Sequence, residues 1–232
     1  MKILVMAATP FEIAPFVEKL EAGFVKSGTN LYTRGELSVL VCVTGVGLTA
    51  TVFRLSKILQ HSRFDLVVNA GIAGSFVPDI KIGEVVHVVS ERFGDLGVEE
   101  KDGSFQDIFD LNLTAPDEFP FENGILKNKT IEPFGFLKPA QGLTINKVHG
   151  NGDSINTIRK KYPAVEVETM ESAGVFYVCL MEKVNFLAIR AISNFVEPRN
   201  KEAWNIPLAI ANLNRVLFEI IALIGGFETK SE

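Results

Sequence analysis

The sequence predicts an α/β fold. Short apolar runs of strand length alternate with runs of helical period along most of the 232 residues, and no internal repeat is present. An apolar content of 47% supplies core for one large domain or two small ones. The alternation breaks only between about residues 94 and 142, which reads as a loop-rich excursion within a single domain spanning residues 1–232.

Ile3 to Ala8 is short and apolar and forms a first strand, ended by Thr9-Pro10 because proline cannot continue a central strand. Glu12 to Leu20 reads as a helix with Ile13, Phe16, Val17 and Leu20 on one face. Leu31 to Val43 reads as two strands joined at Gly35-Glu36. Thr44-Gly-Val-Gly47 is a turn, and Leu48 to Gln60 a helix. Leu66 to Ala70 is a buried strand ending at Gly71, followed by a Gly71-Ile-Ala-Gly74 turn whose glycines let backbone approach a ligand closely. Glu84 to Ser90 is another strand. Within the excursion, Asp95 to Glu122 holds nine acidic residues and one lysine, a balance of −8, with phenylalanines at 105, 109, 119 and 121. Gly142 to Val148 resumes as a strand, and Asp153 to Lys161 as a helix capped by Asp153 or Ser154. Val165 to Thr169 is a strand, Phe186 to Ile192 the last buried strand, and Asn205 to Ile224 the final helix. Pro207 fits the first turn of that helix, and Gly225-Gly226 stop it.

Bulk chemistry excludes several classes. The net charge is −5, without the clustered basic excess of a nucleic-acid binder. Asn212, Asn214, Arg215 and Glu219 interrupt the apolar C-terminal stretch, which argues against a membrane span. The N-terminus reads as a strand rather than a signal peptide. Cys42 and Cys179 lie in apolar runs, as buried thiols of a cytoplasmic protein do. His61, His87 and His149 have no metal-ligand spacing.

The most informative residue is Glu171, in the run Val165-Glu-Val-Glu-Thr-Met-Glu-Ser-Ala-Gly174. A strand hands over to a helix there, and the carboxyl ends of strands in α/β sheets are where ligands sit. Met170 and Glu171 therefore offer an apolar surface beside an anion, a pairing suited to one face and two hydroxyls of a sugar.

Four segments in register carry a resemblance that covers almost the whole chain: Thr9-Pro-Phe-Glu12, Asn69-Ala-Gly-Ile-Ala-Gly-Ser75, Glu168-Thr-Met-Glu171 and Arg190-Ala-Ile-Ser-Asn194. Together they resemble the nucleoside phosphorylase and nucleosidase superfamily. Within it the chain is similar to the methylthioadenosine/S-adenosylhomocysteine nucleosidases and resembles the futalosine hydrolases more closely. The resemblance implies a three-layer α/β/α fold around a mixed, partly barrel-like sheet. It also implies a homodimer, a small-molecule nucleoside substrate and no cofactor.

Cleaving a ribosyl C1′–N9 bond builds positive charge on the sugar and negative charge on the purine. By resemblance, Glu12 orients and deprotonates water, Glu171 accepts from the ribose hydroxyls, and Met170 packs on the ribose. Ile72, Ala73 and Gly74 lie beside base and sugar. Each also has a plainer role: Glu12 as a first-turn carboxylate on its own helix dipole, Glu171 as a helix-start residue, Asn194 as a turn former. Ala7-Ala-Thr-Pro-Phe11 supplies no cation for phosphate, which favours hydrolysis over phosphorolysis. Asn194 stands where adenosine-cleaving relatives carry Asp. Its amide has one acceptor and two N–H donors, a match for a 6-oxopurine. Arg199 is a candidate cation for an acidic 5′ tail, in the polar loop Glu197-Pro-Arg-Asn-Lys201 that Phe195 and Trp204 flank, which is either a lid over the pocket or part of a dimer interface. Arg190 reads as a buried structural residue paired to a carboxylate, and His149, tempting as an acid, reads as a solvated loop histidine. Thr169 departs from the carboxylate usual before Met-Glu, and Lys147-Val-His-Gly-Asn-Gly-Asp153 lacks the expected base-stacking Phe. Three other readings remain: a methylthioadenosine/S-adenosylhomocysteine nucleosidase, a phosphorylase of 6-oxopurine nucleosides, and a non-catalytic nucleoside-binding protein.

Overall fold

The computed structural model describes residues 1–129 and 135–228. The chain opens with β1 (Lys2–Ala7), α1 (Pro10–Gly23), β2 (Val25–Gly28), β3 (Leu31–Arg34), β4 (Leu37–Val43) and α2 (Leu48–His61). The middle carries β5 (Leu66–Ser75), β6 (Val85–Phe93), β7 (Gly97–Glu99), β8 (Phe105–Asp107), β9 (Leu126–Lys127) and β10 (Lys138–Thr144). The last third holds α3 (Gly152–Lys161), β11 (Val167–Thr169), α4 (Ser172–Met181), β12 (Phe186–Phe195) and α5 (Ile206–Gly225).

Ile3 to Met6 are completely buried, and β1 takes the inner place such a run needs, parallel to β4 on one side and β5 on the other. β5 is the hinge of the architecture. It pairs with β12, β12 with β6, β6 with β10, β10 with β11, and β11 returns antiparallel to β5. Five strands thus close into a ring, while β1, β4, β3 and β2 continue from β5 as an open wing. This is the mixed, partly barrel-like sheet expected from the family.

Helices cover both faces, as buried parallel strands require. Ile13, Phe16 and Leu20 of α1 and Leu213, Leu217 and Ile220 of α5 pack on one side with Val5, Val39 and Val68. Leu55 of α2 and Ala173, Phe176 and Cys179 of α4 pack on the other with Leu4, Val67 and Val88. By length and composition α5 could cross a membrane, yet half of its apolar window is buried in this core. Asn214 of α5 also enters the α1 ladder, accepting from Phe16 N–H and donating to Glu12 O.

Several expectations need correction. Residues 71–74 are not a turn: β5 runs on to Ser75, because β12 and β11 keep pairing with it after β1 has stopped. β10 begins at Lys138, four residues before the expected start. Pro139 is tolerated there because β11 pairs only with Gly142 to Thr144, so the missing N–H faces no partner strand. α3 is capped by Asn151, whose side chain accepts from Asp153 and Ser154 N–H. β2 was not foreseen: all four of its residues are exposed, so it carries no burial pattern. In the excursion, β7 and β8 form a separate small sheet, and Phe109 and Phe121 join the α4 side of the core. Residues 130–134 of the excursion, Pro133 among them, lie outside the described residues.

Candidate active site

Glu12 follows the carboxyl end of β1. Thr9 caps α1 and forms a reciprocal capping box: its hydroxyl accepts from Glu12 N–H, and its own N–H and O–H both donate to Glu12 Oε2 at 2.9 Å. Glu12 Oε1 accepts from Ile72 N–H at 3.2 Å, because β1 has ended and leaves that edge of β5 unpaired. The carboxylate is 7% exposed. Gly71 makes room for it: a Cβ there would lie 3.2 Å from Glu12 Oε1 and 3.5 Å from Arg190 Cζ. A first-turn glutamate with three donors fixed on it is held in one orientation.

Glu171 starts α4. Its Oε1 accepts from Gly47 N–H at 2.9 Å. Gly47, at the head of α2, has φ +89, a conformation that side chains other than glycine's rarely adopt. Burial pushes the Glu171 carboxyl above the usual carboxylate range, and the negative charge of Glu12 adds to the rise. The Gly47 N–H and Arg190 oppose it. The two glutamates are therefore close enough to feel each other. Strand register explains how: β11 runs back along β5 with Glu168 opposite Gly74, which carries Met170 and Glu171 towards Ile72 and Gly71.

Arg190 is 1% exposed, but among the described residues no carboxylate pairs with it at contact distance as expected. Its guanidinium donates to Asn69 O (3.1 Å), Asn69 Oδ1, Ile189 O (2.8 Å) and Ser172 Oγ (2.6 Å). Burial lowers its pKa, and the carboxylates of Glu171, Glu91 and Glu12 act against that from further off. Glu91 is the buried acid that sequence reasoning missed. It accepts from Thr144 Oγ1 at 3.0 Å and Thr169 Oγ1 at 3.4 Å, and desolvation raises its pKa to about 8. Thr169, the residue that departs from the family pattern, is thus part of a hydroxyl layer over a buried carboxyl.

Asn194 lies at the carboxyl end of β12, half-buried, with Gly74 as its partner on β5. Nδ2 donates to Phe195 O at 2.9 Å and Oδ1 accepts from Ser193 Oγ at 2.8 Å. Only an N–H can face a carbonyl, so Phe195 O fixes which way the amide points. One N–H and one lone pair remain for a ligand. Met170, Ile72 and Gly74 are half-buried and Ala73 buried.

His149 is not solvated. Its side chain is 14% exposed, and its Nδ1 lies 2.5 Å from Glu168 Oε1. It lines a cavity of about 690 Å³ with Phe105, Ile145 and Lys147. Arg199 N–H donates to Gly150 O at 3.0 Å, and its exposed guanidinium sits 5.1 Å from the centre of the Trp204 ring. A larger cavity of about 820 Å³ lies at the opposite ends of the strands, around Met1, Lys2 and Asp65, away from these groups.

Two anions beside a half-buried amide suit a neutral ligand that becomes cationic on one side and anionic on the other. Comparison with known proteins points the same way. The family model described as the phosphorylase superfamily matches residues 2–125. A futalosine hydrolase of Streptomyces coelicolor is 35% identical over 170 residues, covering 73% of this chain and 71% of that one. A 5′-methylthioadenosine/S-adenosylhomocysteine nucleosidase of Psychromonas ingrahamii is 25% identical over an alignment of 232 positions, covering 95% and 98%. Among solved structures, the native futalosine hydrolase of Helicobacter pylori strain 26695 matches with a TM-score of 0.76 at 16% identity, covering 96% and 98% of the two chains. The Neisseria meningitidis nucleosidase in complex with methylthio-immucillin-A matches with 0.75 at 19%, covering 95% and 98%. At such identities these two structures speak for the fold alone.

Proposed function

The chain belongs to the phosphorylase superfamily, and on that premise we propose that it hydrolyses the N-glycosidic bond of futalosine, releasing hypoxanthine and dehypoxanthine futalosine in the futalosine route to menaquinone. Glu12, held by Thr9 and Ile72, orients a water and takes its proton as it attacks C1′. Glu171 accepts from the 2′- and 3′-hydroxyls and stabilises the cationic sugar, and Met170 packs on the ribose. The segment from Ile72 to Gly74 flanks base and sugar.

The observation that carries the choice of base is the Asn194 amide. With Phe195 O and Ser193 Oγ engaged, it keeps one N–H for a 6-oxo group and one lone pair for a protonated N7. Adenine offers an amino donor at C6 instead, which would leave the amide N–H facing another N–H. Leaving such groups unpaired costs about 1–3 kcal/mol each. The 35% identity with a futalosine hydrolase supports the same choice.

The second reading is a methylthioadenosine/S-adenosylhomocysteine nucleosidase, favoured by the longer alignment with the Psychromonas relative and opposed by Asn194. Competition between futalosine and methylthioadenosine in one reaction decides it. Preferential release of hypoxanthine supports our reading, and preferential release of adenine rejects it. Arg199, stacked on Trp204, is the candidate cation for the carboxylate of the futalosine tail. The reading includes a homodimer, tested by sedimentation, and a cytoplasmic location, in keeping with the unpaired thiols of Cys42 and Cys179.

A further inference from the structure

We propose that His149 is the acid that protonates the departing purine, held to that task by the buried carboxylate of Glu168. The inference rests on the nucleosidase reading and supplies the group which that reading lacks, since an Asn194 amide has no proton to give as an acid.

The geometry starts from Gly74. It is the partner of Glu168 on β11 and of Asn194 on β12. Side chains of directly paired residues project from the same face of a sheet. Glu168 and Asn194 therefore flank Gly74 on one face, two strand spacings or about 10 Å apart along the sheet. Gly74 lets neighbouring side chains close in on that face: a Cβ there would meet Val196 Cγ2 at 2.9 Å and Asn194 Nδ2 at 3.2 Å.

Glu168 is 5% exposed and gives both oxygens to one residue. Oε1 lies 2.5 Å from His149 Nδ1, and Oε2 accepts from His149 N–H at 3.2 Å. A carboxylate that grips both the ring and the backbone of a histidine fixes ring orientation and tautomer: Nδ1 keeps its hydrogen on the carboxylate side, and Nε2 turns away from it. Among the described residues no hydrogen bond engages Nε2. The loop also reaches the sugar side, because Asn146 Oδ1 would lie 3.8 Å from a Cβ on Gly47, whose N–H binds Glu171. Residues 146 to 149 thus border the site from Glu171 to Glu168.

As the C1′–N9 bond breaks, its electron pair leaves with the purine. The imidazolium Nε2–H gives its proton to a ring nitrogen on its own side of the purine, and the base leaves neutral. Water adds to C1′ as Glu12 takes its proton, and solvent then carries that proton back to Nε2. One water is consumed and no other reactant is needed.

The test compares futalosine with a 4-nitrophenyl riboside carrying the same 5′ group, because 4-nitrophenolate leaves without a proton. His149→Gln should cut kcat on futalosine about 10²–10⁴-fold while changing turnover of the nitrophenyl riboside by no more than about threefold. Glu168→Gln should give a smaller loss of the same kind, which assigns Glu168 as a positioning residue. Equal losses on both substrates would mean that His149 merely shapes the loop, and would overturn the inference, as would undiminished futalosine turnover. Wild-type enzyme that cleaves the nitrophenyl riboside but no purine nucleoside would instead overturn the futalosine reading, and the acid with it. If His149→Gln does not fold, His149→Asn is read in the same way.

Discussion

Replacing Asn194 with aspartate turns a donor into an acceptor at one atom, and its consequences can be followed through the site. Nδ2 now gives an N–H to Phe195 O at 2.9 Å. A carboxylate cannot, so oxygen would face oxygen on a half-buried side chain. Losing that bond and leaving the acceptor opposed costs about 1–3 kcal/mol of stability, or roughly 2–12 °C in Tm for a chain of this size. The new carboxyl regains a donor only when protonated, so its folded pKa is raised over its unfolded one. The deficit is therefore present at high pH and closes as pH falls through the raised value. In the substrate complex the variant also loses the N–H offered to the 6-oxo group. That is another 1–3 kcal/mol or so, equivalent to about 5–150-fold in kcat/KM. The assay is release of hypoxanthine from futalosine and of adenine from methylthioadenosine, with melts at pH 5 and 8. The ratio of the two kcat/KM values should move towards methylthioadenosine. An unchanged ratio would refute the argument from amide chemistry.

Four further predictions follow from the same geometry. Glu12→Gln keeps an acceptor for Ile72 N–H but cannot take a proton, so kcat should fall about 10²–10⁴-fold, and its NH2 would face the Thr9 N–H, which should lower Tm by a few degrees. Because burial raises the Glu171 pKa, and only the ionised form favours a cationic sugar, the acid limb of kcat/KM should lie above the ordinary glutamate range; Glu171→Gln should remove that limb along with most activity. Burial pushes the folded Glu91 carboxyl up to about 8 from its ordinary 4.5, so its contribution to stability is complete below the lower value and is lost as pH rises through the upper one. Melting temperature should accordingly decline between those values, and Glu91→Gln, which keeps an oxygen for Thr144 and puts an amide NH2 where Thr169 now donates, should flatten the decline by several degrees. Arg199→Ala should raise KM for futalosine several-fold and leave kcat nearly intact; an unchanged KM would remove Arg199 from the tail site.

What the sequence revealed of this molecule was whatever repeats with a period or ends with a cap. The helices α1, α2 and α5 and the inner strands β1 and β12 were legible because burial on one or both faces writes itself into the residue order. The closure of the ring was not, since β11 is three residues long and its pairing with β5 is a contact between distant parts of the chain. For that reason Gly71 to Gly74 read as a turn: glycine marks close approach as well as reversal, and only the structure shows Glu12 and Arg190 crowding Gly71. Family resemblance singled out Glu12, Glu171 and Asn194. It was silent on Gly47, Glu91 and Glu168, whose importance arises from what lies opposite them in space. Glu168 stood within a quoted motif, but nothing in the order of residues shows that its partner is His149, nineteen positions earlier.

The reaction itself offers the most direct trial. Purified protein is incubated with futalosine, inosine or methylthioadenosine in phosphate-free buffer, and the products are separated by chromatography. We predict free hypoxanthine from futalosine, little from inosine and no adenine. Adenine as the main product, or hypoxanthine release that waits for added phosphate, would contradict the account.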